Sequence, residues 1–185
     1  MKEQQPITKT RYREILPELS KSLDEKNVFA LPRVMKVTVN VGIGKFQKEQ
    51  ARVDEILAAL TDITGQKPVL TKARKAIAGF KIREGLEVGA RVTLRGRRMW
   101  QFLDRFLYAT LPRTRDFQGI PVSSVDASGN CNIGLREHMI FPEIVPEKVQ
   151  TIFGLQVTVT TTAKDRKSGL ELFRKLGFPF RTDEA

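Results

Sequence analysis

Side chains able to carry acid–base, nucleophilic or metal chemistry are scarce in this chain. It has one histidine, His138, and one cysteine, Cys131. A disulfide framework is excluded, and a Cys/His zinc site within one chain lacks its ligands. A Ser-His-Asp or Cys-His catalytic set would have to use His138. That residue stands between Glu137 and Met139 with no second base or ligand in sight, and it reads as an ordinary loop histidine. Cys131 reads as a small packed residue in a strand. No two carboxylates stand out as an acid/base couple. Gly42-Ile43-Gly44-Lys45 invites a phosphate-loop reading. The dinucleotide fingerprint needs a glycine at 47, where Gln47 stands, and the Walker spacing is absent. A turn leaving a strand is the better account, although its bare amides could meet an RNA phosphate. Catalytic residues, a metal site and a cofactor are therefore not expected.

Positive charge, in contrast, is abundant. The 185 residues include 32 Lys+Arg against 21 Asp+Glu, a net charge of +11. Residues 1–64 carry 11 positive and 9 negative side chains, 65–115 carry 13 and 3, and 116–185 carry 8 and 9. Lys67, Lys72, Arg74, Lys75, Lys81 and Arg83 follow one another with no acid between Asp62 and Glu84. A solvated surface intersperses both signs, so this segregation points to a polyanionic partner. Charge alone leaves DNA, RNA and an anionic membrane open. Apolar residues make up 41% of the chain, and no run approaches the ~20 residues of a membrane span. Met1–Arg13 lacks the apolar core of a signal peptide. The expectation is a soluble, cytosolic, basic protein.

The elements that must position these charges follow from hydrophobic periodicity. Thr8–Leu23 has helical spacing, with Pro17 as a kink or restart. Val34–Val41 alternates as a strand, with Val37, Val39 and Val41 on one face. Lys48–Thr64 reads as an amphipathic helix striped by Val53, Ile56, Leu57, Leu60 and Ile63 and capped by Gly65. Val69 and Leu70 form a short strand. Leu86–Leu94 alternates again, with Val88, Ala90, Val92 and Leu94 inward and Gly89, Arg91, Thr93 and Arg95 outward. Arg98–Leu111 is a helix stopped by Pro112, with Trp100 as a packing residue. Residues 113–130 are irregular. Strands follow at Asn130–Leu135 and Leu155–Thr162, then a helix at Asp165–Leu176. Strands with one polar face and no regular βαβ alternation give an α+β, two-layer fold. In it a mainly antiparallel sheet has helices on one face and an open polar face. Residues 1–185 read as a single domain with a projecting basic loop at about 71–85.

That open face would carry Thr38, Asn40, Arg91, Thr93, Arg95, Gln156, Thr158 and Thr160. It holds hydroxyls, amides and guanidinia but no carboxylate, although opposite charges stabilise cross-strand pairs. β-Propensity explains the threonines but not the missing acids. The set suits phosphates, 2′-hydroxyls and base edges of folded RNA. It lacks the paired aromatics that stack single-stranded bases. Only Phe46, Phe80 and Phe117 lie near basic or glycine-containing loops.

Six blocks carry a resemblance. They are PRVMKVTVNVGIG (32–44), GQKPVLTKARKAIAGFKIREG (65–85), VTLRGRRMWQFLDRF (92–106), LPRTRDFQGI (111–120), GNCNIGLREHMIFPEI (129–144) and TVTTTA (158–163). In this order they resemble the bacterial form of the large-subunit ribosomal protein family numbered five. Cys131 and His138 depart from its pattern. The resemblance implies a structural constituent of the large ribosomal subunit, located in the cytoplasm on the ribosome. It further implies binding to 5S rRNA and large-subunit rRNA in the central protuberance, contact with peptidyl-site tRNA, and ribosomal-protein neighbours including a small-subunit head protein.

Sequence and resemblance together assign rRNA contact to Thr38, Asn40, Arg91, Thr93, Arg95, Thr158 and Thr160. They assign tRNA contact to Lys72, Arg74, Lys75, Lys81 and Arg83, on a loop expected to be mobile in the free protein. The competing class is an RNA-modifying or nucleotide-using enzyme. It would need a nucleophile–base set or a complete phosphate loop, and neither is visible.

Overall fold

A computed structural model describes residues 5–46 and 49–181. The strands are β1 (Val34–Gly42), β2 (Val69–Lys72), β3 (Glu87–Leu94), β4 (Cys131–Leu135) and β5 (Leu155–Thr161). They form one open, antiparallel sheet in the order β2-β3-β1-β5-β4. The helices are α1 (Ile7–Ser22), α2 (Gln50–Thr64), α3 (Gly96–Arg105) and α4 (Arg166–Leu176). This is the expected α+β, two-layer fold. Lys48, the expected first residue of α2, lies outside the described residues. The chain divides into two compact units.

The first unit comprises the chain up to Val37, Leu94–Ile133, and the chain from Thr158 onward. Pro17 lies inside α1 without ending it. The first turn of α1 has no acidic residue and no side-chain cap of its own. Asp104 of α3 supplies one from a distance, accepting the N–H groups of Ile7 and Thr8 at 2.7 Å each and the Thr8 hydroxyl. Two otherwise orphaned helix donors are thereby satisfied by an anion. Trp100 is a packing residue, its ring 5.9 Å from that of Tyr12.

The helix expected to run to Leu111 is cut differently. Its α-helical part ends at Arg105, and a π turn (Phe106–Thr110) and a 3-10 turn (Leu111–Arg113) follow. Phe106, Leu107 and Thr110 are all buried in the π turn. Pro112 falls in the first turn of the 3-10 segment, where its missing N–H costs nothing. Residues 113–130 are also not wholly irregular, because Ile120 forms a parallel β-bridge with Phe180. Its N–H donates to Pro179 at 2.7 Å and its carbonyl accepts from Arg181 at 3.0 Å.

The second unit comprises Thr38–Thr93 and Gly134–Val157. Val53, Ile56, Leu60 and Ile63 are buried as the stripe of α2 requires, whereas Leu57 is half-buried. Gly65 caps the helix in the left-handed conformation, φ +67°, its N–H donating to Thr61. His138 is not an ordinary loop side chain: it is 1% exposed and its ring stacks on Phe153 at 3.9 Å. Burial pushes its pKa down, against the pull of the Phe153 backbone, Glu55 and Glu137. Glu55 on α2 accepts the N–H groups of Gln150 at 2.8 Å and Thr151 at 3.1 Å. Desolvation raises its carboxyl pKa, but the hydrogen bonds from Thr151 and Gln150 outweigh it and hold the group below its ordinary range.

Candidate nucleic-acid interface

Alternation in β1 and β3 separates a buried row from a polar one. In the second unit Val39, Val41, Ala90 and Val92 are buried, while Asn40 and Arg91 are exposed and Thr38 and Thr93 half-buried. β1 and β3 are neighbours in the sheet, so these four polar residues share adjacent strands. Gln156 on β5 is exposed as well. Arg91 makes no ion pair among the described residues.

Gly89, expected outward, is buried. A Cβ there would lie 2.7 Å from the Thr71 hydroxyl, 3.2 Å from the Val41 carbonyl and 4.0 Å from the Asn40 amide oxygen. The outward side of Gly89 is thus closed by Thr71 and Asn40, and a residue with no side chain is what the gap admits. In the antiparallel pairing Thr71 opposes Gly89 and Val69 opposes Arg91, which puts Thr71 and the exposed Val69 on the same face. Sequence reasoning missed Thr71 by starting the loop there. The alternation about Leu70 was the signal that could have found it.

The register then shifts between Thr71 and Lys72, and Lys72 opposes Glu87. These two line a cleft with Gln50 and Val53 of α2. The shift therefore takes Glu87, the one acid on β3, to the helix side and out of the polar row of Arg91 and Thr93.

The segment expected to be an irregular loop is a short hairpin. Ala73 and Gly85 bond across it, with Ala73 also donating to Leu86, and Ile77 and Ile82 exchange two backbone hydrogen bonds of 2.9 and 3.2 Å. A 3-10 turn, Ala78–Phe80, makes the tip, and Lys81 closes it in the left-handed conformation at φ +56°. Arg74, Lys75, Lys81 and Arg83 are exposed. None of them is in an ion pair among the described residues. Lys72 sits at the root of the hairpin, apart from these four.

In the first unit, Arg95 is exposed at the start of α3. Thr158 and Thr160 are half-buried on β5. Thr158 is already engaged, its hydroxyl donating to the Asn132 amide oxygen at 2.8 Å. Asn132 therefore belongs to the polar row too. Its place between Cys131 and Ile133, both buried, made it legible, yet sequence reasoning passed over it. Cys131 is buried, and desolvation lifts its thiol pKa to about 12, which makes it inert packing.

Among the described residues, no group of His, Cys, Asp and Glu side chains is arranged to hold a metal ion. Among the described residues, no helix is long and apolar enough to cross a membrane. The features together define a small basic α+β protein with a donor-rich sheet face and a cationic hairpin. Comparison with known sequences gives that class its family. Residues 27–83 match the family described as "Ribosomal protein L5", and residues 87–180 match the C-terminal region of the same ribosomal family. A relative from Halothermothrix orenii, named "Large ribosomal subunit protein uL5", is 47% identical over 90% of this chain and 93% of its own length. Proteins of the same name from Microcystis aeruginosa and Kocuria rhizophila are 48% and 46% identical. They cover 94% and 96% of this chain and 97% and 95% of their own lengths. The chain belongs to the ribosomal protein L5 family, a structural and non-enzymatic one.

Proposed function

We propose that this protein is a structural constituent of the large ribosomal subunit that binds 5S rRNA through its polar sheet face and meets peptidyl-site tRNA through its basic hairpin. The relatives' shared name supports the large subunit. The observation that carries the RNA contact is the pair Asn40 and Arg91, exposed on neighbouring strands, each two residues from a half-buried threonine, Thr38 on β1 and Thr93 on β3. Amide, guanidinium and hydroxyl groups so placed offer bonds to sugar, phosphate and shallow-groove edges at once. Arg95, Thr158 and Thr160 extend the reading to the first unit. The hairpin cations Arg74, Lys75, Lys81 and Arg83, with Lys72 at the root, provide sequence-independent phosphate contacts of the kind a tRNA backbone takes. Contacts with other ribosomal proteins, including one of the small-subunit head, belong to the same reading.

The test is binding of 5S rRNA by Asn40→Ala and Thr93→Ala. Each should weaken binding by about 1–3 kcal/mol while leaving stability nearly unchanged, since neither residue is buried. Wild-type affinity in both variants would remove the sheet face from the interface.

A further inference from the structure

Three stretches distant in sequence converge on one cleft of about 470 Å³ in the second unit, walled by Lys45, Phe46, Phe80, Ile82, Ile152 and Phe153. They come from the turn after β1, the hairpin tip and the segment before β5. Among the described residues, no carboxylate lines it. Its size falls within the ~300–1,000 Å³ typical of small-ligand pockets.

Two of its three rings have a stacking partner that does not line the cleft. The Arg52 guanidinium lies over Phe46, 5.9 Å from the ring centroid, and the His138 ring backs Phe153 at 3.9 Å with an interplanar angle of 9°. The third, Phe80, is 74% exposed, an apolar surface left open, with Lys81 next to it in the chain and Lys45 in the cleft wall. Its position is fixed by the hydrogen bonds between Ile77 and Ile82 and by the turn that Lys81 closes. Gly42 and Gly44 border the cleft. Gly42 has open space where a Cβ would stand, so a bulky group can come against its backbone.

We propose that this cleft takes one unstacked nucleobase of a bound RNA, stacked against Phe80, with Lys45 and Lys81 holding the flanking phosphates. The inference rests on the RNA-binding reading above and deepens it, since the polar sheet face reads sugar and phosphate and has no ring to stack on. Charge selects the occupant. A base arrives with phosphates on either side, and the cations lie at the wall and beside Phe80 in the chain. An apolar protein side chain would leave those cations unmatched. Base–aromatic stacking tolerates any base, because each has a π-face.

The experiment titrates the full chain with two labelled strands and with 5S rRNA. One strand is a ~12-nucleotide oligoriboadenylate, about the site size of such grooves, and the other is the same sugar–phosphate backbone without bases. Phe80→Ala should weaken oligoriboadenylate binding roughly ten- to a hundredfold. Binding of the abasic strand and its salt dependence should stay unchanged, and Phe80→Trp should retain wild-type affinity. Lys45→Ala with Lys81→Ala should weaken both strands. Phe80 is exposed, so its loss leaves the fold intact. The stacking site is overturned if Phe80→Ala affects both strands equally or neither while the wild type binds 5S rRNA. It is also overturned if the variant binds RNA normally but no longer holds a ribosomal-protein neighbour, which would make the cleft a protein site. A wild type that binds neither strand nor 5S rRNA fails the RNA reading itself.

Discussion

Thr71 of β2 closes over Gly89 of β3, so near that a Cβ on residue 89 would stand 2.7 Å from its hydroxyl oxygen. The Val41 carbonyl, at 3.2 Å from the same point, is backbone and cannot turn aside. Gly89→Ala is therefore expected to destabilise the protein by about 1–3 kcal/mol, as overpacking of a tight site does. Adding Thr71→Ala should return part of that loss, because only the nearer clash is relieved. Urea midpoints of the two variants measure both effects, and an unchanged midpoint in Gly89→Ala would show that the strands are not packed this closely.

Asp104 carries a second prediction, for folding alone. It is the acceptor for the first turn of α1, which has no cap of its own. Asp104→Ala should cost about 1–2 kcal/mol, the range for removal of a helix cap. Asp104→Asn, which keeps one acceptor oxygen, should cost less. Equal losses in thermal unfolding would mean that the hydrogen bonds are not what Asp104 contributes.

The buried histidine predicts a pH dependence. The folded-state pKa of His138 lies below its ordinary value of 6.5, chiefly because burial disfavours the charged ring. The unfolded chain then binds more protons than the folded one as pH falls below about 6.5, so stability declines on acidification in that window. Glu55 has a depressed pKa and acts lower, its contribution being present above 4.5 and lost as pH falls beneath that value. Denaturation between pH 7 and pH 5 should show a slope that His138→Gln flattens. A slope surviving in the variant would assign it to another group.

Alternating valines and capping glycines made most of the architecture readable, because Val37–Val41, Val157–Val159 and Gly65 record local backbone state directly. What stayed hidden depends on contacts made from afar. Gly89 has outward parity yet is buried, because Thr71 and Asn40 cover it. His138 stands between Glu137 and Met139, which signal nothing about its surroundings, and only the fold brings Phe153 against its ring. The hairpin shows no period because cross-strand backbone bonds hold it, and its tip closes on a left-handed lysine rather than a glycine. The π turn after Arg105 likewise leaves no composition signal, since Phe106 and Leu107 read as core residues of a continuing α-helix as well.

Salt supplies a general check on the polyanion reading. If about six phosphates are neutralised, affinity for 5S rRNA should fall roughly 10³-fold between 50 and 200 mM salt. Chelation of trace transition metals in Mg²⁺-replete buffer should leave binding unchanged. A flat salt response would point away from nucleic acid.

The hairpin cations make the sharpest division of labour. Arg74, Lys75 and Lys81 are exposed and unpaired among the described residues, so replacing all three by alanine removes charge without removing core. The fold should stay intact and 5S rRNA affinity should fall far less than tRNA affinity, because Asn40, Arg91 and Thr93 are untouched. Retention of peptidyl-site tRNA on reconstituted ribosomes should weaken, with no dependence on tRNA sequence, since phosphate contacts carry none. Removing one phosphate-binding cation lowers the salt slope by about one, so the triple variant should lower it by about three for tRNA and by little for 5S rRNA. Basic hairpins hold any phosphate within reach, and the competing assignment gives this one to ribosomal RNA. The two are separated by which affinity fails: a triple variant that loses 5S rRNA and keeps tRNA reverses the assignment of the two surfaces.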